Sequence, residues 1–285
     1  MAAVGLALAS AVLFGFMSAA LRFALQRRPD PEAGALATAI VALVPCGAIA
    51  LAGGEWHGAV WPFLLAGLLA PGASQIFYVI AVRDIGPSRA AVLVGTAPLV
   101  SVTIALLVLD EPPTVPLIGG GLLIVIGGLA LAGERVRPET FRGMGVVYTL
   151  VCVAFFATRD NVVRSIATDT TVPPQLAAST TIVAGGAVMG LYLLIRRGWR
   201  ALGDTGHAVR PFALAGLVWG LSYASLFEAF YRGRVSVVSP LVATEALFGV
   251  LFAALLIGRS ELVGRHVVIG AALIVAGGML IGAFR

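Results

Sequence analysis

The chain is a succession of long, uninterrupted apolar runs separated by short polar connections. A run of about 18 or more apolar residues with few charges is long enough to cross the hydrocarbon core of a bilayer. Backbone polar groups must be paired in lipid, so such runs form either helices or the strands of a closed barrel. Barrel strands would be shorter and would alternate apolar with polar residues, which these runs do not. The pattern therefore predicts an all-α integral membrane protein.

We predict ten transmembrane helices, numbered in chain order, at 2–25, 33–52, 61–82, 88–109, 114–132, 142–165, 174–195, 211–231, 235–257 and 264–283. Proline, glycine and most charged residues fall in the connections, and the longest predicted connection is 196–210. The first run could pass for a signal peptide. Its start is uncharged and its arginines follow the run, so we interpret it as a retained helix.

Composition agrees with this prediction. The chain has 285 residues, 59% hydrophobic and 12% charged, whereas soluble domains have about 25% charged residues. The net charge of +5 does not indicate nucleic-acid binding, because the arginines lie between apolar runs, as topology signals do. Cys46 and Cys152 lie inside apolar runs without metal-ligand spacing, so we interpret both as small core residues.

The sequence repeats internally. Residues 96–99 (Thr-Ala-Pro-Leu) correspond to 244–247 (Thr-Glu-Ala-Leu), and the glycine-rich stretch 120–128 corresponds to 270–278. Between the first and sixth predicted helices, Phe14 corresponds to Phe156 and Arg22 to Arg164. The repeats span 1–137 and 138–285 with five predicted helices each. Because five is odd, the second copy must enter from the opposite face, which predicts two inverted five-helix repeats.

Glycines seven residues apart lie on one face of the fifth and tenth predicted helices. They are Gly120 and Gly127 in one and Gly270 and Gly277 in the other. Small residues let helix backbones approach closely in lipid. We therefore expect these two helices to be packing helices that cross each other, and a poor place for a substrate site.

With these features the sequence resembles the drug/metabolite transporter (DMT) superfamily, specifically its EamA-type ten-helix members. The resemblance rests on the 96–99 stretch, the Asp110-Glu111 turn before the glycine-rich fifth helix, and the same plan in the second half. Family members usually have Gly-Glu after helices 4 and 9, where this chain has Asp110-Glu111 and Gly258-Arg259. The frequent Trp-Gly of helix 1 is here Phe14-Gly15.

The resemblance implies a small-molecule carrier, often an exporter of amino acids or related metabolites. It also implies a multi-pass inner-membrane (plasma-membrane) location and a central cavity lined mainly by helices 1, 3, 4, 6, 8 and 9.

Ionisable residues inside a membrane usually mark function or a structural ion pair. Glu245, near the middle of the ninth predicted helix, is the clearest case, and both interpretations stay open for it. Arg159 and Asp160 lie in the second half of the sixth predicted helix, from which Arg159 could pair with Glu245. Alternatively that helix ends early and both residues are interfacial. Glu228 has a simpler interpretation as the partner of Arg232 one turn later.

Uncharged polar and aromatic residues complete the candidate substrate site. Hydroxyl-bearing and aromatic side chains on shared helix faces suit an amphipathic organic ligand, although ordinary helix packing is the alternative. With the two charged residues, the predicted substrate-binding set is Ser18, Gln75, Tyr78, Thr96, Arg159, Trp219, Ser222, Tyr223, Thr244 and Glu245.

No catalytic constellation, phosphate-binding loop or metal cluster is apparent in the sequence, so we predict neither an enzyme nor a cofactor or metal. The predicted partners are a small organic solute, the lipid bilayer and protons as a coupling ion, with the protein functioning as a monomer. A lipid-modifying membrane enzyme and a non-transporting partner protein are the alternatives. Fourteen of the 19 arginines lie on one side, so the positive-inside rule places both termini outside the cytoplasm. The family resemblance favours both inside.

Overall fold

A computed structural model describes residues 2–53, 58–100, 115–132, 141–257 and 264–283, and these ranges are helical apart from short turns. The helices are α1 (Ala2–Arg27), α2 (Pro31–Gly53), α3 (Trp61–Ile85), α4 (87–100), α5 (Val115–Ala132), α6 (Met144–Ala167), α7 (Pro174–Arg197), α8 (Arg200–Arg232), α9 (235–257) and α10 (Arg265–Ala283). The Asp110-Glu111 and Gly258-Arg259 turns lie outside the described residues.

Seven helices in the described part of the chain are long and apolar enough to cross a membrane: α1, α2, α3, α6, α7, α8 and, over Val237–Ile257, α9. The apolar segments of α5 and α10, Ile118–Leu131 and Arg265–Ile281, are shorter. The chain is therefore an all-helical, multi-pass membrane protein.

The start of α8 corrects one prediction. The segment predicted as a long connection over 196–210 is mostly helix, because α7 continues to Arg197 and α8 begins at Arg200. Ala201, Thr205 and Ala208 recur at helical spacing and are buried, which gives this polar segment an inward face. Gly198, with φ of 59°, makes the turn between the two helices.

Two helices are interrupted at corresponding points. In α4 the helix stops after Val94 and resumes at residue 97, and in α9 it stops after Val242 and resumes at Glu245. The Thr96 hydroxyl donates to the Leu93 carbonyl at 2.6 Å, and the Thr244 hydroxyl donates to the Leu241 carbonyl at 2.6 Å. Pro98 cannot donate to the Val94 carbonyl, which favours the interruption in α4.

A third irregularity lies in α3, where the segment Leu68–Ala73 is π-helical and Ala70 leaves helical geometry. The segment contains Pro71, and helices commonly kink where proline removes a backbone donor. Ser74, Gln75 and Tyr78, in the half of α3 that follows, are buried.

The glycine-rich helices α5 and α10 cross as predicted. A Cβ atom added to Gly127 would lie 2.8 Å from the Gly270 carbonyl oxygen, and one added to Gly270 would lie 2.8 Å from the Gly127 carbonyl oxygen. Gly120 and Gly277, each seven residues from one of these glycines, make the same reciprocal approach. The prediction that these are packing helices is confirmed.

Helix α8 packs against α1 and α2, and α3 packs against α6 and α7. The largest fully buried side chains of α8 are aromatic and include Trp219 and Tyr223. Cys46 and Cys152 are buried, and their thiols donate to the carbonyls of Gly220 (2.9 Å) and Ser74 (3.2 Å). This confirms their interpretation as small core residues.

Candidate functional site

A cavity lies among α1, α3, α4, α6, α8 and α9, the six helices that the family resemblance implies. Its volume is about 50 Å³, and one water molecule needs about 10–15 Å³, so an organic solute would require the surrounding helices to separate. Its lining is mostly apolar and aromatic, and consists of Phe14, Met17, Pro71, Gln75, Tyr78, Val94, Ala97, Phe156, Arg159, Asp160, Trp219, Tyr223, Ser239, Val242, Ala243 and Glu245.

Arg159 and Asp160 form a buried ion pair at one side of the cavity. Nε and Nη2 of Arg159 lie 2.8 and 2.6 Å from the same Asp160 oxygen, and Nη1 donates to the Tyr223 hydroxyl. The guanidinium also lies 5.0 Å from the ring centroid of Tyr223. Helix α6 continues beyond both residues to Ala167, and both are buried. The alternative in which the sixth helix ends before these residues is therefore wrong.

Glu245 begins the second segment of α9, directly after the helix interruption, and is 6% exposed. Among the described residues its carboxylate has no hydrogen-bond or ion-pair partner. The pair with Arg159 that the sequence allowed is not formed, because Asp160 and Tyr223 occupy that guanidinium. An ionised carboxylate buried without a partner costs free energy, so Glu245 either binds a proton or pairs with a group from outside the described residues.

Two further lining residues carry polar atoms without partners within the described ranges. They are Nε2 of Gln75 and Oγ of Ser239, both buried. Buried polar atoms are usually hydrogen-bonded, so unpartnered ones facing a cavity are typical of a binding site. By contrast, the Tyr78 hydroxyl is bonded to Ser18 Oγ at 2.5 Å.

Comparison with known proteins agrees with this architecture. Residues 1–132 and 143–283 match the family model described as the EamA-like transporter family. The chain belongs to the EamA-like transporter family. This family is part of the drug/metabolite transporter superfamily, and it is a family of transporters rather than of enzymes.

One crystal structure of a protein shares 20% sequence identity with this chain and superposes on it with a TM-score of 0.57. The match covers 95% of this chain and 97% of the other. At this identity the likeness shows the fold alone. Among curated proteins no match was found.

Six of the ten predicted site residues of this EamA-like protein line the cavity, namely Gln75, Tyr78, Arg159, Trp219, Tyr223 and Glu245. Ser18, Thr96, Ser222 and Thr244 are not lining residues. Ser18 supports Tyr78, and the two threonines bond to carbonyls at the helix interruptions. The Ser222 hydroxyl bonds to the backbone carbonyl of Ser10 at 2.9 Å, and therefore joins α8 to α1.

Prediction from sequence missed most apolar lining residues and did not include Asp160 or Ser239 in the site. Phe14 and Phe156 could have been found from the repeat, because they correspond to each other and lie beside predicted site residues. Met17, Val94 and Ala97 are apolar residues within apolar runs, so nothing in the local sequence distinguishes them from residues that face lipid or other helices.

Glu228 lies outside the cavity lining and is paired with Arg232, as predicted. Gln175 Nε2 also donates to Glu228 at 2.6 Å. Over the described residues, no group of three or more His, Cys, Asp or Glu side chains could hold a metal ion.

A second polar cluster lies where α7 ends and α8 begins. Arg197 bonds to Asp30 at 2.6 Å, Glu32 at 2.7 Å and Asp204 at 3.1 Å. Burial raises the pKa of Asp30, but hydrogen bonds from Arg197 and the Ala33 N–H together lower that pKa below its usual value. The cluster therefore ties the α1–α2 connection to the α7–α8 turn by charge.

Proposed function

We propose that this EamA-like protein is a secondary transporter that moves a small organic solute, such as an amino acid, a related metabolite or a drug, by alternating access at the central cavity. Export is the direction we propose, by the family resemblance. The observation that carries the proposal is a cavity between six helices whose lining combines aromatic rings with the unpartnered polar groups of Gln75, Ser239 and Glu245.

The proposal includes ten transmembrane helices arranged as two inverted five-helix repeats, 1–137 and 138–285. Corresponding contacts in the two halves support it. Ser10 of α1 bonds to the Ser222 carbonyl of α8, and Cys152 of α6 bonds to the Ser74 carbonyl of α3. The residue offset that aligns Phe14 with Phe156 also aligns Ser10 with Cys152. The offset that aligns Thr96 with Thr244 also aligns Ser74 with Ser222, so the two hydrogen bonds occupy corresponding positions in the two halves.

The lining of the cavity supports the same arrangement, because corresponding residues of both halves contribute to it. Such pairs are Phe14 and Phe156, Met17 and Arg159, Pro71 and Trp219, Gln75 and Tyr223, Val94 and Val242, and Ala97 and Glu245. A cavity on the axis that relates two inverted halves is what alternating access requires. The helix interruptions beside it, at Thr96 and Thr244, are typical of transporter binding sites.

Transport by purified protein in proteoliposomes tests this proposal. We expect uptake of at least one solute from a panel of amino acids, amines and drugs, above that of protein-free vesicles. The same panel is run with and without a proton gradient, because Glu245 is the residue we expect to carry a coupling proton. Glu245→Gln should lose transport or its proton dependence, whereas Glu228→Gln, outside the cavity, should retain both.

The two alternative functions make different predictions in the same assay. A lipid-modifying enzyme would alter the lipids of the vesicles without moving solute, which mass spectrometry of the lipids would detect. A non-transporting partner protein would give no flux with any solute. Unchanged transport and coupling in Glu245→Gln would remove Glu245 from the site.

A further inference from the structure

We propose that the cavity selects an organic amine, with a protonated amino group bound by Glu245 and no carboxylate. This inference rests on the proposed function, because it takes the cavity to be the substrate site. It narrows the substrate from small organic solutes in general to amphipathic cations.

The balance of charge in the lining gives the first argument. Arg159, Asp160 and Glu245 are the lining residues with basic or carboxylic side chains. Arg159 and Asp160 neutralise each other at 2.6 Å. Glu245 is left as the carboxyl without a partner, and its ionised form is stabilised in a buried site only by an opposite charge or by hydrogen bonds. A solute ammonium supplies both.

The occupancy of Arg159 gives the second argument. A zwitterionic amino acid would need a cation for its carboxylate, and Arg159 is the cation among the lining residues. Its Nε and Nη2 already contact Asp160, and its Nη1 donates to Tyr223. The rings of Phe156 and Tyr223 lie 5.5 and 5.0 Å from the guanidinium carbon. A solute carboxylate would therefore meet a guanidinium whose charge Asp160 already neutralises and three of whose five N–H donors are already used.

The rest of the lining suits the remainder of an amphipathic amine. The rings of Trp219 and Tyr223 pack edge to face with centroids 5.2 Å apart, and with Phe14 they offer apolar and π surface. Such surfaces attract both aromatic rings and ammonium groups. The unpartnered Ser239 hydroxyl can accept an N–H from the ammonium, and the Gln75 amide can donate to an oxygen of the solute.

The asymmetry between the halves limits the solute to one charged end. In the first half, Met17, Ser18 and Ala97 stand where Arg159, Asp160 and Glu245 stand in the second. The first half therefore offers no second charged anchor at the corresponding positions, and the solute end that faces it should be apolar or neutral.

Three ligands that share a phenyl ring test the inference: phenethylamine, phenylalanine and 3-phenylpropionate. Binding to the purified full-length protein is measured at pH 7 by calorimetry. We expect phenethylamine to bind about tenfold or more tightly than the other two, because it alone pairs with Glu245 without presenting a carboxylate. Glu245→Gln should lose that preference, Glu245→Asp should retain part of it, and Glu228→Gln should match the wild type.

Equal or tighter binding of phenylalanine or 3-phenylpropionate would overturn the inference, as would unchanged amine binding in Glu245→Gln or no binding of any of the three. Flux in proteoliposomes separates this from the proposed function. Transport of a zwitterion or an anion in preference to amines would overturn the amine selectivity and leave the transporter proposal standing. Glu245-dependent amine binding without flux of any solute would overturn the transporter proposal and leave the amine selectivity standing.

Discussion

Arg159 and Asp160 stand where the first half of the chain has Met17 and Ser18, so the chain itself suggests a neutral replacement for the buried ion pair. Removing one partner of such a pair leaves an uncompensated charge and costs about 3–5 kcal/mol, whereas replacing both partners is often neutral. We therefore expect Arg159→Met to lower the midpoint of thermal unfolding in detergent strongly. The double variant Arg159→Met/Asp160→Ser should recover most of that loss. A double variant as unstable as the single one would contradict this account of the pair.

Residue-level prediction from sequence succeeded where a side chain contrasts with its surroundings. Glu245, Arg159 and Gln75 stand out in apolar runs, and all three line the cavity. Ser222 and Thr244 stand out equally, but their hydroxyls bond to backbone carbonyls. Sequence does not distinguish a hydroxyl that faces a cavity from one that bonds to backbone, because that depends on small rotations of the helix.

The crossing of α5 and α10 depends on close backbone approach. In Gly127→Ala, the new methyl group would lie 2.8 Å from the Gly270 carbonyl oxygen, and overpacking of this kind costs about 1–3 kcal/mol. Gly128→Ala is the matched control, because no atom lies within 4 Å of its added Cβ. We expect a lower thermal midpoint for Gly127→Ala and an unchanged or slightly higher one for Gly128→Ala. Equal midpoints for the two variants would show that close approach at Gly127 does not stabilise this crossing.

The cluster around Arg197 predicts an acid-sensitive contribution to stability. Because the folded pKa of Asp30 is lowered, its ion pair contributes fully above the unfolded pKa of about 3.9, and this contribution is lost as pH falls through the lowered value. The thermal midpoint of the wild type should therefore fall more between pH 7 and pH 3 than that of Arg197→Gln. Arg200→Gln, which changes an exposed arginine nearby, should behave like the wild type. An equal fall in wild type and Arg197→Gln would contradict the prediction.

At the scale of helices, the sequence predicted most positions, because each apolar run has a clear beginning and end. It missed the first turns of α8, since charged residues and glycines there hide an inward face made only of Ala201, Thr205 and Ala208. It also did not predict the interruptions of α4 and α9. Thr96 and Thr244 stabilise the interruptions by local hydrogen bonds, and Pro98 favours the one in α4. Apolar periodicity carries no information about these contacts.

For the whole molecule, the arginine distribution predicts orientation. The connections after odd-numbered predicted helices, with adjoining helix ends, hold most arginines, which predicts both termini outside the cytoplasm. A C-terminal fusion to a reporter that is active only in the periplasm should therefore be active. Activity of a cytoplasm-specific reporter at the same position, with none from the periplasmic one, would contradict the prediction.

Alternating access is the central claim, and Ala97 offers the most direct measurement of it, because it is a small residue of the first half that lines the cavity. The variant Ala97→Cys is made with Cys46 and Cys152 replaced by serine, and a membrane-impermeant maleimide is added to one face of sealed vesicles at a time. The account predicts labelling of Cys at position 97 from either face, and none from either face at the buried control Ala271→Cys. Labelling of position 97 from one face only, with and without transported solute, would contradict it.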